Sequence, residues 1–150
     1  MKAAGSRGKS SKGSIILEFA LGFGLLWLIF TGAFQFGYSM YAYNALTTCV
    51  TNGARYAARI DFDHPDHNFV EQVKNLVVYG TPTRGTAALA PGLQPQHVSV
   101  TWTADAKGVP QTVTVGIVNY TAQALFQTFT FKNKPRLTVK FVGRYIVAVN

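Results

Sequence analysis

The run from Ile15 to Phe36 is apolar throughout and contains a single ionisable side chain, that of Glu18. As an α-helix this run would be roughly 33 Å long, which is sufficient to cross the hydrocarbon core of a bilayer. It is longer than the apolar core of an ordinary secretory signal, and no small-x-small cleavage site follows it. The sequence therefore predicts a transmembrane helix that stays attached to the residues after it.

Basic residues are concentrated before this run. Residues 1–13 contain Lys2, Arg7, Lys9 and Lys12 and no acid, so they supply half of the formal net charge of +8. Basic residues beside an apolar span normally stay in the cytoplasm, so we expect the rest of the chain to be exported. Because much of the excess charge lies in this leader, no nucleic-acid partner is expected. Residues that favour the outer membrane interface follow the run: Tyr38, Tyr41 and Tyr43.

Glu18 is an unusual residue for a lipid-facing helix. A charge deep in such a helix costs about 2.5–3.5 kcal/mol on insertion scales. One interpretation is a tolerated charge near the cytoplasmic edge, where the side chain can reach the interface. The other is that Glu18 has a partner. If the chain is cut between Gly13 and Ser14, the new α-amino group lies one helical turn from Glu18 and can pair with it, within a subunit or between neighbours.

These features resemble a known signal. The basic leader, Gly13, the glutamate at the fifth position after it and the apolar helix are similar to the signal of type IV pilins. The runs GSIILEFAL from Gly13 and NGARYAAR from Asn52 resemble the TadE-like branch of tight-adherence pilus proteins, and the resemblance is densest over residues 8–59. Ser14 differs from the apolar residue that many pilins carry at this place.

The resemblance implies a minor pilin or pseudopilin in the bacterial inner membrane, with its N-terminus in the cytoplasm and its C-terminal domain outside. Cleavage by a prepilin peptidase after Gly13 would precede assembly through the N-terminal helix, in support of pilus biogenesis and surface adherence. The implied partners are that peptidase, other pilin or pseudopilin subunits, the inner-membrane assembly platform and membrane lipid. The alternative is a signal-anchored, exported binding domain that the peptidase does not process.

The long helix is predicted to continue beyond the membrane. Apolar residues recur at steps of three and four along the polar segment that follows, which predicts one helix over residues 14–60. The stripe consists of Leu46, Val50, Gly53, Ala54, Ala57 and Ile60. The chain then divides into a leader (1–13), a transmembrane part of the helix (14–36), an exported part (37–60) and a globular domain (61–150).

The segment Asp61–His67 contains three acids and two histidines and could be interpreted as a metal site. The glycine of a calcium loop is absent and no other Cys or His clusters nearby, so we favour a turn with helix-capping acids and expect no metal. Asn68 and Glu71 suggest a capping box for a helix over residues 69–79. Its predicted inward side chains are Phe69, Val73, Leu76 and Val77. Residues 80–96 contain three of the six prolines and predict a loop.

Alternation of apolar residues then predicts strands. It places Val98, Val100 and Trp102 on one face of a strand, and after a turn at 105–108 it continues through Val113, Val115 and Ile117. A last strand is predicted from Leu137 to Val149, whereas residues 121–131 suggest a short helix or an irregular crossing. The predicted fold is α+β, with the long helix packed on an antiparallel sheet of about three strands.

No catalytic constellation is evident, and we predict neither enzyme activity nor a cofactor. No nucleophile elbow surrounds any serine, and His97 is isolated among strand residues. Cys49 is the only cysteine, so it cannot form an intramolecular disulfide, and a buried thiol is predicted. Basic residues near the C-terminus favour a solvated strand face, and the alternative is a site for an anionic partner such as DNA or a surface polymer. They are Lys132, Lys134, Arg136, Lys140 and Arg144.

Overall fold

The N-terminal segment forms one continuous helix, α1, from Lys12 to Ala57. The computed structural model describes residues 12–64, 68–124 and 128–147. The helix is about 70 Å long at the usual rise per residue. It ends three residues earlier than predicted, because the amides of Arg59 and Ile60 both donate to the Tyr56 carbonyl in a closing turn.

The elements after α1 together form the head of the molecule. They comprise one further α-helix, one short 3₁₀ helix and seven strands within the described residues. In chain order they are β1 (Phe62–His64), α2 (Asn68–Tyr79), the 3₁₀ helix (Pro95–His97), β2 (Val98–Ala104), β3 (Pro110–Ile117), β4 (Tyr120–Gln123), β5 (Thr128–Phe131), β6 (Arg136–Lys140) and β7 (Tyr145–Val147).

A three-stranded antiparallel sheet in the order β2–β3–β6 packs on α1 and confirms the predicted α+β fold. The predicted alternation is also confirmed. Val98, Val113, Val115 and Ile117 are buried, while Val100 and Trp102 are half-buried against the same core. The opposite face of the sheet carries threonines. Their hydroxyl groups form hydrogen bonds between neighbouring strands, for example between Thr114 and Thr138.

The predicted turn after the long helix is wrong over Phe62–His64, which form β1 and pair in parallel with β7. Phe62 is the physical reason, since its side chain is only 2 % exposed and anchors an aromatic cluster. Its ring centroid lies 4.8 Å from that of Phe69 and 5.1 Å from that of Trp102. Asp66 and His67 lie outside the described residues.

The predicted last strand, Leu137 to Val149, is divided into β6 and β7. After β6 the amide of Val142 donates to the Ala58 carbonyl, so the chain leaves the sheet and crosses the end of α1. Gly143 permits this crossing, because a Cβ there would overlap the carbonyl oxygen of Ile60. The short β7 then continues beside β1 instead of extending the sheet.

The described residues of the segment 121–131, namely 121–124 and 128–131, form neither the short helix nor the irregular crossing that was predicted. They belong to a hairpin in which β4 pairs antiparallel with β5, Tyr120 opposite Phe131 and Gln123 opposite Thr128. Alternate residues of β4 are buried, namely Tyr120 and Ala122. The period of two is therefore present, but it extends over too few residues to be distinguished in the sequence.

Helix α2 begins at Asn68, one residue earlier than predicted, and ends at Tyr79 as predicted. Phe69, Val73 and Val77 are buried as expected, but Leu76 is only half-buried and Val78 is buried in addition. The predicted loop after α2 is confirmed up to Pro95, where the 3₁₀ helix begins. It packs on the head through Ala90 and Leu93, which are 1 % and 2 % exposed.

The core lies where the second half of α1 meets α2 and the sheet. The predicted stripe is buried from Leu46 to Ala57, and Ile60 is half-buried at its end. Gly53 lies at a close approach of α1 to α2, because a Cβ on this residue would overlap Cγ2 of Val77 in α2. Small residues on α1 thus bring the two helices together.

This contact predicts a specific cost for adding one methyl group. Gly53→Ala should lower the free energy of unfolding of the head by about 1–3 kcal/mol relative to Gly37→Ala, because the stiff Val77 side chain must move. Gly37 is a matched control on the same helix, since a Cβ there meets nothing within 4 Å. Urea unfolding of the detergent-solubilised chain, followed by Trp102 fluorescence in a Trp27→Phe background, measures the difference.

The same experiment has an internal check. Val77→Ala should cost less stability in the Gly53→Ala background than in the wild type, because it removes the overlapping methyl group. Additive effects of the two substitutions would contradict the proposed contact.

Two ionisable side chains, Cys49 and Tyr120, lie in this core and are 4 % and 1 % exposed. Cys49 confirms the predicted buried thiol. Burial raises the pKa of the Cys49 thiol above its ordinary value. Burial also raises the pKa of Tyr120, with smaller contributions from the neighbouring Tyr38 and Cys49. The folded chain therefore retains both protons to higher pH than the unfolded chain does.

We expect the free energy of unfolding to fall as the pH rises above the ordinary pKa of cysteine, about 8.5. The unfolded chain loses its protons first, so each group contributes stability below its unfolded pKa and loses it as the pH rises through the folded pKa. Cys49→Ala and Tyr120→Phe should each make the fall less steep in urea titrations at successive pH values. If the free energy of unfolding falls with pH as steeply in both variants as in the wild type, other groups cause the loss of stability at alkaline pH.

Candidate assembly surface on the N-terminal helix

The first half of α1 presents its side chains outward over residues 13–30, which we call the exposed apolar half. Every side chain in this range is exposed. The large apolar ones include Phe19 at 72 %, Ile16 at 70 % and Leu28 at 70 % exposure. Monomeric soluble proteins rarely expose continuous apolar patches of this extent. The surface therefore requires lipid or other protein chains to cover it.

The second half of the same helix has the opposite character. Burial against the head begins at Ala42, which is 2 % exposed, and continues through Leu46 and Val50. Between the two halves, half-buried positions recur on one face at Thr31, Gln35 and Ser39. One helix thus changes its surroundings along its length.

Aromatic rings form a row along the exposed apolar half. The ring centroids of Phe19 and Phe23 are 6.2 Å apart, those of Phe23 and Trp27 are 6.3 Å apart, and those of Trp27 and Phe30 are 6.2 Å apart. The spacing of three or four residues places all four on one side of the helix. This row gives the surface one bulky face.

Glu18 lies on a different face, one turn after Ser14 and one turn before Gly22. Its side chain is exposed, and no described residue forms an ion pair or hydrogen bond with it. The structure thus places Ser14 and Glu18 at helical neighbour positions, as the spacing predicts. Whether the Ser14 nitrogen becomes a charged partner depends on the predicted cleavage after Gly13.

The glycines of this region have no steric role within the subunit. A Cβ on Gly13, Gly22, Gly24, Gly32 or Gly37 would meet no atom within 4 Å. Glycine also lowers helix propensity in water by about 1 kcal/mol relative to alanine. Their presence is therefore better explained by contacts outside the chain, where small residues permit close approach of helices in a membrane.

Other ionisable residues offer weaker candidates for a site. His97 accepts a hydrogen bond at Nδ1 from the Gln94 amide, and its ring meets Tyr120 edge-on at 5.8 Å, so it supports the short 3₁₀ helix. No group of three or more metal-ligating side chains occurs among the residues that the structure describes. Asp61 is exposed, and part of the acid- and histidine-containing segment lies outside that range.

The fold and surface define a class of protein in which one long apolar helix, suited to anchoring in a membrane, continues into a small α+β head. Residues 13–55 match the family model described as TadE-like protein, so the chain carries a TadE-like domain over that range. The match ends within α1, so the helix and not the head carries the family signature. No curated protein and no solved structure matches the chain.

Gly13 offers a direct test of recognition by a processing enzyme. Gly13→Leu should leave the fold of the head unchanged, because a Cβ at this residue has open space around it. It should nevertheless abolish trimming of the leader if the protease site is shaped around a residue without a side chain. Intact-mass spectrometry of the protein recovered from cells with an active prepilin peptidase measures the trimming, and Gly24→Leu is the control. Equal trimming of both variants would remove Gly13 from the site.

Proposed function

We propose that this chain is a pilin-like, TadE-like subunit of a tight-adherence pilus or a related secretion machinery. In this proposal it is inserted in the inner membrane with residues 1–13 in the cytoplasm, is cleaved between Gly13 and Ser14, and assembles through α1. The observation that supports this most strongly is the exposed apolar half with its one carboxylate, which lies within the part of the chain that matches the TadE-like family.

The apolar surface accounts for the membrane step. Full burial of a large apolar side chain is favourable by about 1.5–3 kcal/mol, and the exposed apolar half contains more than ten such side chains. Lipid covers them before assembly, and other apolar helices replace the lipid afterwards. Neither exchange requires any change in α1 itself, because its backbone hydrogen bonds are internal to the helix.

Glu18 accounts for the specificity of assembly. An isolated charge in lipid costs about 2.5–3.5 kcal/mol, so a helix that only needed to be an anchor would be better without it. The amine created at Ser14 is a partner of opposite sign at the same end of the helix. A buried ion pair adds little net stability, but mismatched neighbours leave a charge without a partner, which is strongly penalised. Pairing between subunits would therefore fix their axial register.

The role is structural in this proposal, as TadE-like pilin-family proteins are structural and not catalytic. Partners follow from the same reasoning: a prepilin peptidase, other pilin or pseudopilin subunits, the assembly platform and lipid. The competing function is a signal-anchored exported binding domain, in which Glu18 is incidental and the leader is retained. The two functions differ in what happens when the charge is removed.

Glu18→Val should reduce assembly while leaving the membrane level of the protein unchanged or higher, because it removes the cost in lipid together with the register contact. Glu18→Asp should be intermediate, since it keeps the charge but shortens its reach. The measurement is the amount of this protein crosslinked to other pilus subunits, or sheared from cells with them, at equal expression.

Two controls separate charge from bulk. Glu18→Gln keeps the side-chain size and should behave like Glu18→Val. Phe19→Val changes the adjacent exposed position without altering charge, and should assemble better than Glu18→Val. Recovery of Glu18→Val with the other subunits at the wild-type level would contradict the pairing and favour the signal-anchored alternative.

A further inference from the structure

The β4–β5 hairpin lies alongside α1 and extends from the head towards the exposed apolar half. At the base of the hairpin, the ring centroid of Phe131 is 6.0 Å from that of Tyr43. Two residues nearer the tip, Phe129 lines a groove with residues of α1 that lie farther towards its N-terminus: Leu28, Thr31, Gly32, Gln35, Phe36 and Ser39. The hairpin therefore points along the helix in the direction of the predicted membrane span.

The dimensions of a bilayer fix the level that the hairpin reaches. A hydrocarbon core of about 30 Å requires about 20 helical residues, so a span that starts at Ile15 must extend to about Phe34. A span limited to the uninterrupted run of exposed residues, which ends at Phe30, would be only about 24 Å long. The groove beside Phe129 thus lies at the outer edge of the hydrocarbon core.

The composition of the hairpin suits that level. No Asp, Glu, Lys, Arg or His occurs from Val118 to Phe131, whereas Lys132, Lys134 and Arg136 follow immediately. The outward-facing positions of the paired strands are uncharged, including Thr121 and Thr128. The three basic side chains are exposed. Since Lys132 follows the residue that contacts Tyr43, the basic turn lies about 10–15 Å above Phe34 along the helix axis.

We propose that the β4–β5 hairpin rests in the outer interface of the membrane, with Phe129 at the acyl-chain boundary and Lys132 and Lys134 against anionic lipid phosphates. The inference rests on the proposed insertion of α1 in the membrane. Interfacial elements commonly bury an apolar face to a depth of about 5–10 Å, and each basic residue near an anionic surface strengthens binding about fivefold. The hairpin stays at the interface because a two-stranded ribbon has unpaired backbone groups that require water.

This placement has a consequence for assembly. Phe129 of the hairpin lies beside the α1 face that contains Thr31, Gln35 and Ser39, all of which are half-buried. At this level the remaining faces of α1 are available to other helices. The hairpin would therefore orient the head on the membrane and limit the directions from which a neighbouring subunit approaches.

Depth-dependent fluorescence quenching tests the proposal on the full chain in lipid vesicles. In a Cys49→Ala background, an environment-sensitive fluorophore is attached to one introduced cysteine, in Thr128→Cys, Ala106→Cys or Gly24→Cys. Ala106 is the matched control, since it is exposed in the β2–β3 turn at the opposite end of the sheet. Gly24 reports insertion of α1, as its position has open space for a probe. Nitroxide-labelled lipids with the label near the headgroup or near the chain end serve as quenchers.

We expect the Thr128 probe to lose fluorescence with the shallow nitroxide, the Gly24 probe with the deep one, and the Ala106 probe with neither. Quenching at Gly24 without quenching at Thr128 would overturn the hairpin placement and leave the proposed membrane insertion intact. Absence of quenching at both positions would overturn the insertion and the hairpin placement together.

The basic turn is tested by lipid charge. Vesicles that contain phosphatidylglycerol should increase quenching at Thr128 over vesicles of neutral phosphatidylcholine, and Lys132→Gln with Lys134→Gln should abolish that increase. Equal quenching of the wild-type hairpin in both vesicles would overturn the contact with lipid phosphates.

Discussion

The first half of α1, the exposed apolar half, has a surface that nothing in the described chain covers, and the architecture follows from this constraint. Exposure of this surface to water is unfavourable, so the helix requires lipid or other apolar chains around one end, whereas the protein core surrounds the other. An α-helix can satisfy both, because its backbone hydrogen bonds are internal and independent of what surrounds it. The side chains alone decide the surroundings, and they change between Phe30 and Ala42.

The head is built to hold the second half of that helix firmly. Gly53 brings α1 against Val77 of α2, and the buried face of the sheet closes the core from the other side. The aromatic cluster around Phe62 packs next to the end of α1, which Val142 and Gly143 cross before β7 pairs with β1. The short strands and small residues thus attach α1 rigidly to the head, as the proposed insertion and assembly of this helix would require.

Sequence patterns predict those parts of this fold that depend on many regularly spaced residues. Helix α1, helix α2 and the three-stranded sheet each extend over enough residues for a period to be visible, and all three are confirmed. The strands β1 and β7 have three residues each, and they pair although they lie far apart in the sequence. No local pattern could therefore reveal them. The division of the last predicted strand depends on the crossing of Ile60 by Gly143, which is a tertiary contact.

The candidate site divides in the same way. Gly13, Ser14 and Glu18 are recognisable in the sequence because their spacing within one helix and their apolar surroundings are local features. The position of the hairpin beside Thr31 and Gln35 is not local. The absence of charged residues from Val118 to Phe131 is consistent with that position. It does not indicate which part of α1 the hairpin contacts.

Whether the exposed apolar half is covered in the cell can be measured by the reaction of single cysteines with a water-soluble maleimide, in intact membranes and in any assembled fraction. In a Cys49→Ala background, Leu25→Cys reports on the exposed apolar half and Thr47→Cys on an exposed position beyond the predicted span. Both positions are open in the isolated chain, so their steric access is matched. We expect rapid labelling at Thr47→Cys and little at Leu25→Cys, because lipid or other helices cover the latter. Comparable rates at the two positions would show that water reaches this surface, and that neither lipid nor other helices cover it.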